Sequence, residues 1–578
     1  MRSGAKMPSS GFLSNLRNLV LPPRPDPAAS RVIAEMRLLI CASVAILAFS
    51  IIGFRIFNLS DAGARERIAN HFKTSHIERG QILDRKGRLL ATNLPITVLH
   101  ADPSEIMDVT DAASKLAPLI SRHDVASLKK ILSKKTRYVE LDRKLTPARH
   151  AEILGLGIPG VYFAESTLRV YPRAESAAHI LGQVDPENNG IAGIEKSQDA
   201  HLATGRDIHL SLDVGLQAIM RAEIYKQINE FEAIGGAGVL LDTRNGEILA
   251  MTSLPDYNPN HFAKAGDDAR FNRATKGLYE MGSTFKVLNT AIALETGAAT
   301  PRTEFEVMKP LRVSRFTIND YHPSKKPLNV AEIMVHSSNI GSALMAEEFG
   351  ATIQKEYMKR LGLLDRLPLE LPEIAKPLSP KYWKRAATLT VSYGHGISIS
   401  PTHLASAVST ASSNGLRIAP TLLKRKVGEE LVKTRVFSEH TAHAVRSMMR
   451  LVVSHKKGTG KKARASGYMV GGKTGTAEKI QDTGGYNAKA NLATFVATFP
   501  VHEPRYVIVI MVDEPKGQKQ SHGFATGGWV AAPAVRRIVE QISPILGVHP
   551  VDEESPLIRQ KLMLDFNIGN QEATLASF

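Results

Sequence analysis

The chain is 578 residues long, with 43% hydrophobic and 22% charged residues, the balance of a folded protein with room for two or more domains and no need of long disordered tracts. Its formal net charge is +17, but the lysines and arginines are spread along the chain without aromatic-interleaved runs, which argues against nucleic acid and for an anionic lipid or acidic cell-wall polymer. With one cysteine, Cys41, no intrachain disulfide can form, and no Cys/His cluster or His-Glu-x-x-His is present to hold zinc, so no metal or other cofactor is expected.

In chain order, the first element is an uncharged apolar run from Leu38 to Phe54, extended past Arg55 by Ile56-Phe57. Its length approaches the roughly 20 residues that span a bilayer, and Arg37 and Arg55 can snorkel at its ends. The basic residues before it, Arg2, Lys6, Arg17, Arg24, Arg31 and Arg37, outnumber Asp26 and Glu35, which puts residues 1–37 in the cytoplasm. Ala62-Gly63-Ala64 resembles a signal-peptidase site, but the leading segment and apolar core are too long for a signal peptide. We therefore expect an uncleaved anchor over 38–57, with everything after it outside the inner membrane.

Residues 58–230 carry no catalytic motif. Ile77 to Asn93 reads as strand, turn, strand with the turn at Asp84 to Gly87, and Ala112 to Leu156 reads as polar and helix-rich. Arg169-Val170-Tyr171-Pro172, His179 to Gly182 and Gly190 to Glu195 mix turn formers with single charges, a pattern of packing and ion pairing. Asp213 caps a helix running to about Glu223.

From Gly236 the pattern changes. Gly238 to Asp242 and Glu247 to Met251 flank an Asn245-Gly246 turn, a hairpin signature. Asn491 to Phe499 and Arg505 to Val512 are apolar strand runs, followed by a closing helix from Trp529 to Ile542. Strands at both ends with helices between them predict an α+β domain over 231–545, whose antiparallel sheet is assembled from distant segments. A tail, 546–578, follows.

Within that domain Ser283 stands three residues ahead of Lys286 at the start of an apolar helical pattern closed by Gly297. Positions i and i+3 share a helix face, and a lysine held neutral by burial can take a serine proton. The spacing alone is weak, since it recurs at Ser3/Lys6, Ser127/Lys130 and Ser454/Lys457. Ser337-Ser338-Asn339 and then Lys473-Thr474-Gly475-Thr476 follow it in order, the trio of penicillin-binding proteins and class A β-lactamases. His336 and His395 read as packing or surface residues.

With these motifs, the Arg79-Gly80 to Gly87 segment and Gly527-Gly528-Trp529 near the end, the chain resembles the class B penicillin-binding proteins and, within them, the FtsI-like septal peptidoglycan transpeptidases. The resemblance implies a cytoplasmic tail, a transmembrane helix, an elongated pedestal and a C-terminal penicillin-binding (serine β-lactamase-like) transpeptidase domain. It implies Ser283 as nucleophile towards a D-Ala-D-Ala stem peptide, Lys286 as its base, Ser337 as proton relay and Asn339 as holder of the peptide amide. By the same resemblance Lys473 would add positive charge near the substrate carboxylate and Thr474 and Thr476 would donate to it, while Gly475 would leave the strand open alongside. The N–H groups of Ser283 and Thr476 make the oxyanion hole.

The implied partners are peptidoglycan stem peptides, β-lactams as inhibitors, and a membrane-embedded glycan polymerase with other division proteins, because no polymerising domain lies between the membrane and Gly236. The elongation branch of the same class, and a D,D-carboxypeptidase or β-lactam-sensing relative, are the alternatives. Met281 stands where the family often has proline, and Ser338 where other penicillin-binding families carry aspartate.

Overall fold

The computed structural model describes residues 36–55, 78–120, 122–313, 316–480 and 485–563; the Ala62-Gly63-Ala64 sequence, most of the expected cytoplasmic tail and residues 564–578 lie outside them. Helix α1, Met36–Arg55, is 20 residues long, which at about 1.5 Å per residue matches the hydrocarbon thickness of a bilayer. Its apolar side chains point outward all round, with Leu38 72% and Phe49 75% exposed, as a helix solvated by lipid requires.

The remainder, from Glu78 on, forms a second compact unit. It opens with strands β1 (Ile82–Leu83) and β2 (Leu89–Ala101), paired antiparallel around the expected turn. The turn is held because the Asp84 carboxylate accepts from the N–H groups of Lys86 and Arg88, while Gly87 takes a positive φ of 80°. β2 then pairs with both β3 (Val139–Leu145) and β4 (Val161–Val170), and β1 pairs in parallel with β5 (Ile208–His209).

The segment expected to be helix-rich has helices at Val109–Leu116, Val125–Leu132 and Pro147–Gly155, but also contains β3. Charges at Glu140, Asp142 and Arg143 mask that strand in the sequence. It exists because pairing with β2 buries Leu141 and Leu145 beside Leu99, Leu116 and Leu128.

Arg79, Arg169 and Glu195 meet inside this region. Glu195 is fully buried and accepts from Arg79 Nε and Arg169 Nε, each at 2.7 Å. Arg79 also reaches Asp199, and Arg169 reaches Asn93 Oδ1 at 3.1 Å. The charges flagged in the sequence therefore fasten separate segments of the pedestal to one another.

Helix α2 (Val214–Glu230) starts at Asp213, whose carboxylate accepts from the N–H groups of Gly215 and Leu216 and also binds Arg88 at 2.7 Å and Lys86 at 2.8 Å. The Asp84 to Gly87 turn is thereby docked on the catalytic half of the unit, where Arg85 also meets Glu247.

The catalytic half is built on a five-stranded antiparallel sheet. Its strands are β6 (Gly235–Asp242), β7 (Ile248–Leu254), β8 (Gly471–Ile480), β9 (Tyr486–Phe499) and β10 (Tyr506–Asp513), in the order β8-β9-β10-β6-β7. Both faces are covered, so the central strands are apolar at successive residues. Tyr506, Ile508 and Ile510 pack with α2 and with the closing helix, while Val507, Val509 and Met511 pack towards the opposite helical layer. That layer holds α3 (Phe285–Glu295), α4 (Val330–His336), α5 (Asn339–Arg360), α6 (Pro401–Ser412) and α7 (Glu439–Ser454). Helix α8 spans Ala531–Ile545.

The segment after α8 docks against the sheet unit. Glu553 accepts from the buried Arg450 at 2.7 Å and from the Gly467 N–H at 3.1 Å, and Leu562 packs with Met469, just ahead of β8, and with Val501, just after β9.

Candidate active site

Ser283 lies in a short 3₁₀ turn, Gly282–Thr284, that runs directly into α3. Gly282 has a φ of 53°, and a Cβ there would stand 2.7 Å from the Thr476 carbonyl oxygen, so only glycine lets the turn approach the edge of β8. From the other side, a Cβ on Gly475 would come within 2.5 Å of Met281 O. The glycine of Lys-Thr-Gly thus makes room for the nucleophile turn. The two close contacts hold the backbone of Ser283 beside that of Thr476.

Lys286, one turn into α3, is fully buried. Its Nζ lies 2.9 Å from Ser283 Oγ, 2.6 Å from the Ser337 carbonyl, 2.7 Å from Asn339 Oδ1 and 3.2 Å from Ser337 Oγ. A neutral amine has two N–H donors and one lone pair. The two shortest contacts are to pure acceptors, which take the two N–H groups and leave the lone pair for the Ser283 hydroxyl. Burial pushes the Lys286 ammonium well below its ordinary pKa, the positive charge of Lys473 pushes it further down, and Asp320 pulls the other way.

Ser337 ends α4 with a left-handed backbone, φ 60°, unusual for a residue other than glycine. That conformation reverses the chain between α4 and α5 and sets its hydroxyl between the two lysines. Lys473, on β8 and fully buried, reaches Ser337 Oγ at 2.8 Å, and burial lowers its pKa to about 7. Thr474 Oγ1 bonds Thr459 Oγ1 at 2.9 Å, and Thr476 Oγ1 accepts from the Gly527 N–H at 3.2 Å. Ser283, Lys286, Ser337, Asn339 and Lys473 thus form one hydrogen-bonded cluster, with Gly475 and Thr476 along its side and Thr474 behind Lys473.

Of the other Ser-x-x-Lys pairs, Ser127 and Lys130 are exposed on a pedestal helix. His395 sits in the Gly394-His395-Gly396 turn that packs on Gly282, and it pairs with Glu280 at 3.4 Å. Burial, with Lys286 adding to it, lowers its pKa to about 4, so it is neutral at pH 7. The sequence reading missed Asp320, whose carboxylate binds the backbone of the second motif. No spacing rule points to it, because it stands in a loop away from all three motifs.

Residues 236–540 match the penicillin binding protein transpeptidase domain, and residues 74–209 match the penicillin-binding protein dimerisation domain. Over 481 residues the chain is 40% identical to a probable peptidoglycan D,D-transpeptidase FtsI of Caulobacter vibrioides, covering 81% of this chain and 82% of that protein. It is 29% identical over 506 residues to the peptidoglycan D,D-transpeptidase FtsI of Escherichia coli, covering 82% of this chain and 84% of that one. Among solved structures, penicillin binding protein 3 of Mycobacterium tuberculosis complexed with aztreonam superposes with a TM-score of 0.66 at 23% identity, over 82% of this chain and 97% of that chain.

Proposed function

Since this chain belongs to the class B penicillin-binding proteins, a transpeptidase domain carried behind a dimerisation domain, we propose that Ser283 is the residue its substrate acylates and Lys286 the base that activates it. The chain is a peptidoglycan D,D-transpeptidase of the FtsI-like, septal kind. The observation that carries the residue assignment is the Lys286 amine, buried and 2.9 Å from Ser283 Oγ with its two shorter contacts to acceptors.

Lys286 takes the Ser283 proton as Oγ attacks the carbonyl carbon of the penultimate D-alanine in a stem peptide. The N–H groups of Ser283 and Thr476 bind the oxyanion, a donor of this kind contributing about 10²–10³ in rate. The proton passes through Ser337 to the departing D-alanine nitrogen, the C–N bond breaks, and the acyl group remains on Ser283. The amine of a second stem peptide then attacks, returns its proton by the same route and frees the hydroxyl. Asn339 holds the peptide amide, while Lys473 supplies the charge that faces the substrate carboxylate. A β-lactam enters by the same first step.

Protonation sets a pH window. Lys286 must be neutral, which requires a pH above its lowered pKa; Lys473 must be charged, which requires a pH below about 7 in the free enzyme. The acylation rate constant kcat/KM is therefore expected to fall both in acid and above neutrality, the two lysines titrating as a coupled pair. A bound carboxylate favours charged Lys473, so the alkaline limb of kcat should lie higher than that of kcat/KM. A profile that keeps rising to pH 10 would contradict these assignments.

α1 anchors the chain in the inner membrane with its N-terminus cytoplasmic and the catalytic half in the periplasm, where the pedestal meets a glycan polymerase and other division proteins. The test joins site and role. Fluorescent penicillin should label the parent chain and leave Ser283→Ala unlabelled, and depletion should give filaments that the parent restores to division and Ser283→Ala does not. Labelled Ser283→Ala moves the nucleophile elsewhere; round cells on depletion move the chain to elongation.

A further inference from the structure

Asp320 takes no part in the steps above, yet its carboxylate is committed to the second motif. Oδ2 accepts from Ser338 Oγ at 2.5 Å, and Oδ1 accepts from the N–H groups of Asn339 at 2.5 Å and Ile340 at 3.0 Å. A negative charge so placed also meets the N-terminus of the long helix α5, where the helix dipole favours it. The neighbouring Asn319 carbonyl accepts from Asn339 Nδ2 at 3.0 Å, so Asn339 Oδ1 is left facing Lys286. The Asn319 carbonyl therefore decides which end of the Asn339 amide meets the lysine, while Asp320 holds the backbone from which that amide projects.

Ser338 itself is uncharged where other penicillin-binding families carry aspartate. It caps α5, accepting from the Gly341 N–H at 2.9 Å, and donates its own O–H to Asp320. We propose that Asp320 is a positioning residue for this transpeptidase, supplying from the loop after Phe316–Ile318 the carboxylate that the second motif lacks, and so fixing Asn339 against Lys286. The proposal rests on the reading of Ser283 and Lys286 given above.

Around Lys286 stand Ser283 on its own turn, Ser337 and Asn339 from the second motif, Lys473 on β8, Asp320, and the electrically neutral His395. Among these, Asp320 favours the charged form of Lys286, against burial and Lys473. Removing its charge should let the Lys286 pKa fall further, moving the acid limb of acylation to lower pH. A residue that only stabilises the fold would lower the yield of active protein without moving that limb.

The test is the rate of acylation by fluorescent penicillin across pH, on the full chain in detergent. Asp320→Asn keeps the shape and removes the charge. The loss of a charged hydrogen-bond acceptor predicts acylation slower by about 10- to 100-fold, with the acid limb at lower pH. Ser338→Asp added to Asp320→Asn restores a carboxylate at the same helix start, aspartate being a good cap, and should recover most of the rate and return the limb.

A parental rate in Asp320→Asn, an unmoved limb, or a folded double variant without recovery would each overturn the proposal. Should Asp320→Asn fail to fold, the double variant decides: acylation with the parental limb supports it, and a second failure to fold makes Asp320 structural only and overturns it. Ser283→Ala run alongside separates the two readings, since labelling of that variant defeats the site assignment whatever Asp320 does.

Discussion

Lys286→Arg is expected to lose about 10²–10⁴-fold in the rate of acylation by fluorescent penicillin, the range a positioned general base contributes. The reasoning is one of charge. Lysine can serve as a base here because the interior that encloses it, with Lys473 nearby, strips its proton at a pH where a solvated lysine would keep it. A guanidinium stays protonated under any of these conditions, so arginine retains the positive charge and has no lone pair to offer Ser283. It is also planar and larger than an ammonium, and would have to sit where the buried amine now lies within 2.9 Å of Ser283 Oγ, Ser337 O and Asn339 Oδ1. Single-turnover acylation measured by stopped flow, with circular dichroism to establish folding, provides the check. A folded Lys286→Arg chain that acylates within a few-fold of the parent would transfer the base role to another group, with Lys473 next in line through Ser337.

The second large effect is on stability. Glu195→Ala should cost about 3–5 kcal/mol, the usual penalty for stranding a buried charge. Glu195 is fully buried with a guanidinium on each carboxylate oxygen. Without it Arg79 keeps Asp199 and the carbonyl oxygen of residue 195, but Arg169 retains only Asn93 among its hydrogen-bonded partners given by the structure. Arg169 should therefore drive the loss, and Glu195→Gln, which keeps one acceptor oxygen, should lose less. Urea unfolding followed by circular dichroism would show the difference as an earlier transition. Because the triad is buried, the deficit should persist in high salt, whereas a surface pair would be screened. A deficit under about 1 kcal/mol, the level of an exposed pair, would mean that the triad adds little to the fold.

The triad also shows why charge clusters can be located in a sequence without being interpretable there. Arg79, Arg169 and Glu195 stood out as single charges among turn formers, but whether they faced inward or towards a partner depended on contacts across 116 and 26 residues. β3 was hidden for a related reason. A strand with Glu140, Asp142 and Arg143 has the composition of a solvated helix, and only pairing with β2 buries its two leucines.

The elements whose signals are local could be read without any structure. The uncharged run gives α1, the Asp84 to Gly87 and Asn245-Gly246 turns give their hairpins, Asp213 caps α2, and the three motifs name the five residues of the hydrogen-bonded cluster. The helix, turns and cap follow from backbone preference and side-chain period, which act over a few residues, whereas the five cluster residues follow from the resemblance that the motifs carry. The chemistry of those residues came from packing. The lysine of a Ser-x-x-Lys spacing becomes a base only when α4, α5 and β8 close over it, as the exposed Ser127/Lys130 pair shows by contrast. Asp320 belongs wholly to this second category. Its partners lie 18 to 20 residues away across a helix and a chain reversal. Desolvation and charge proximity are properties of the packed volume, and no window of sequence contains them.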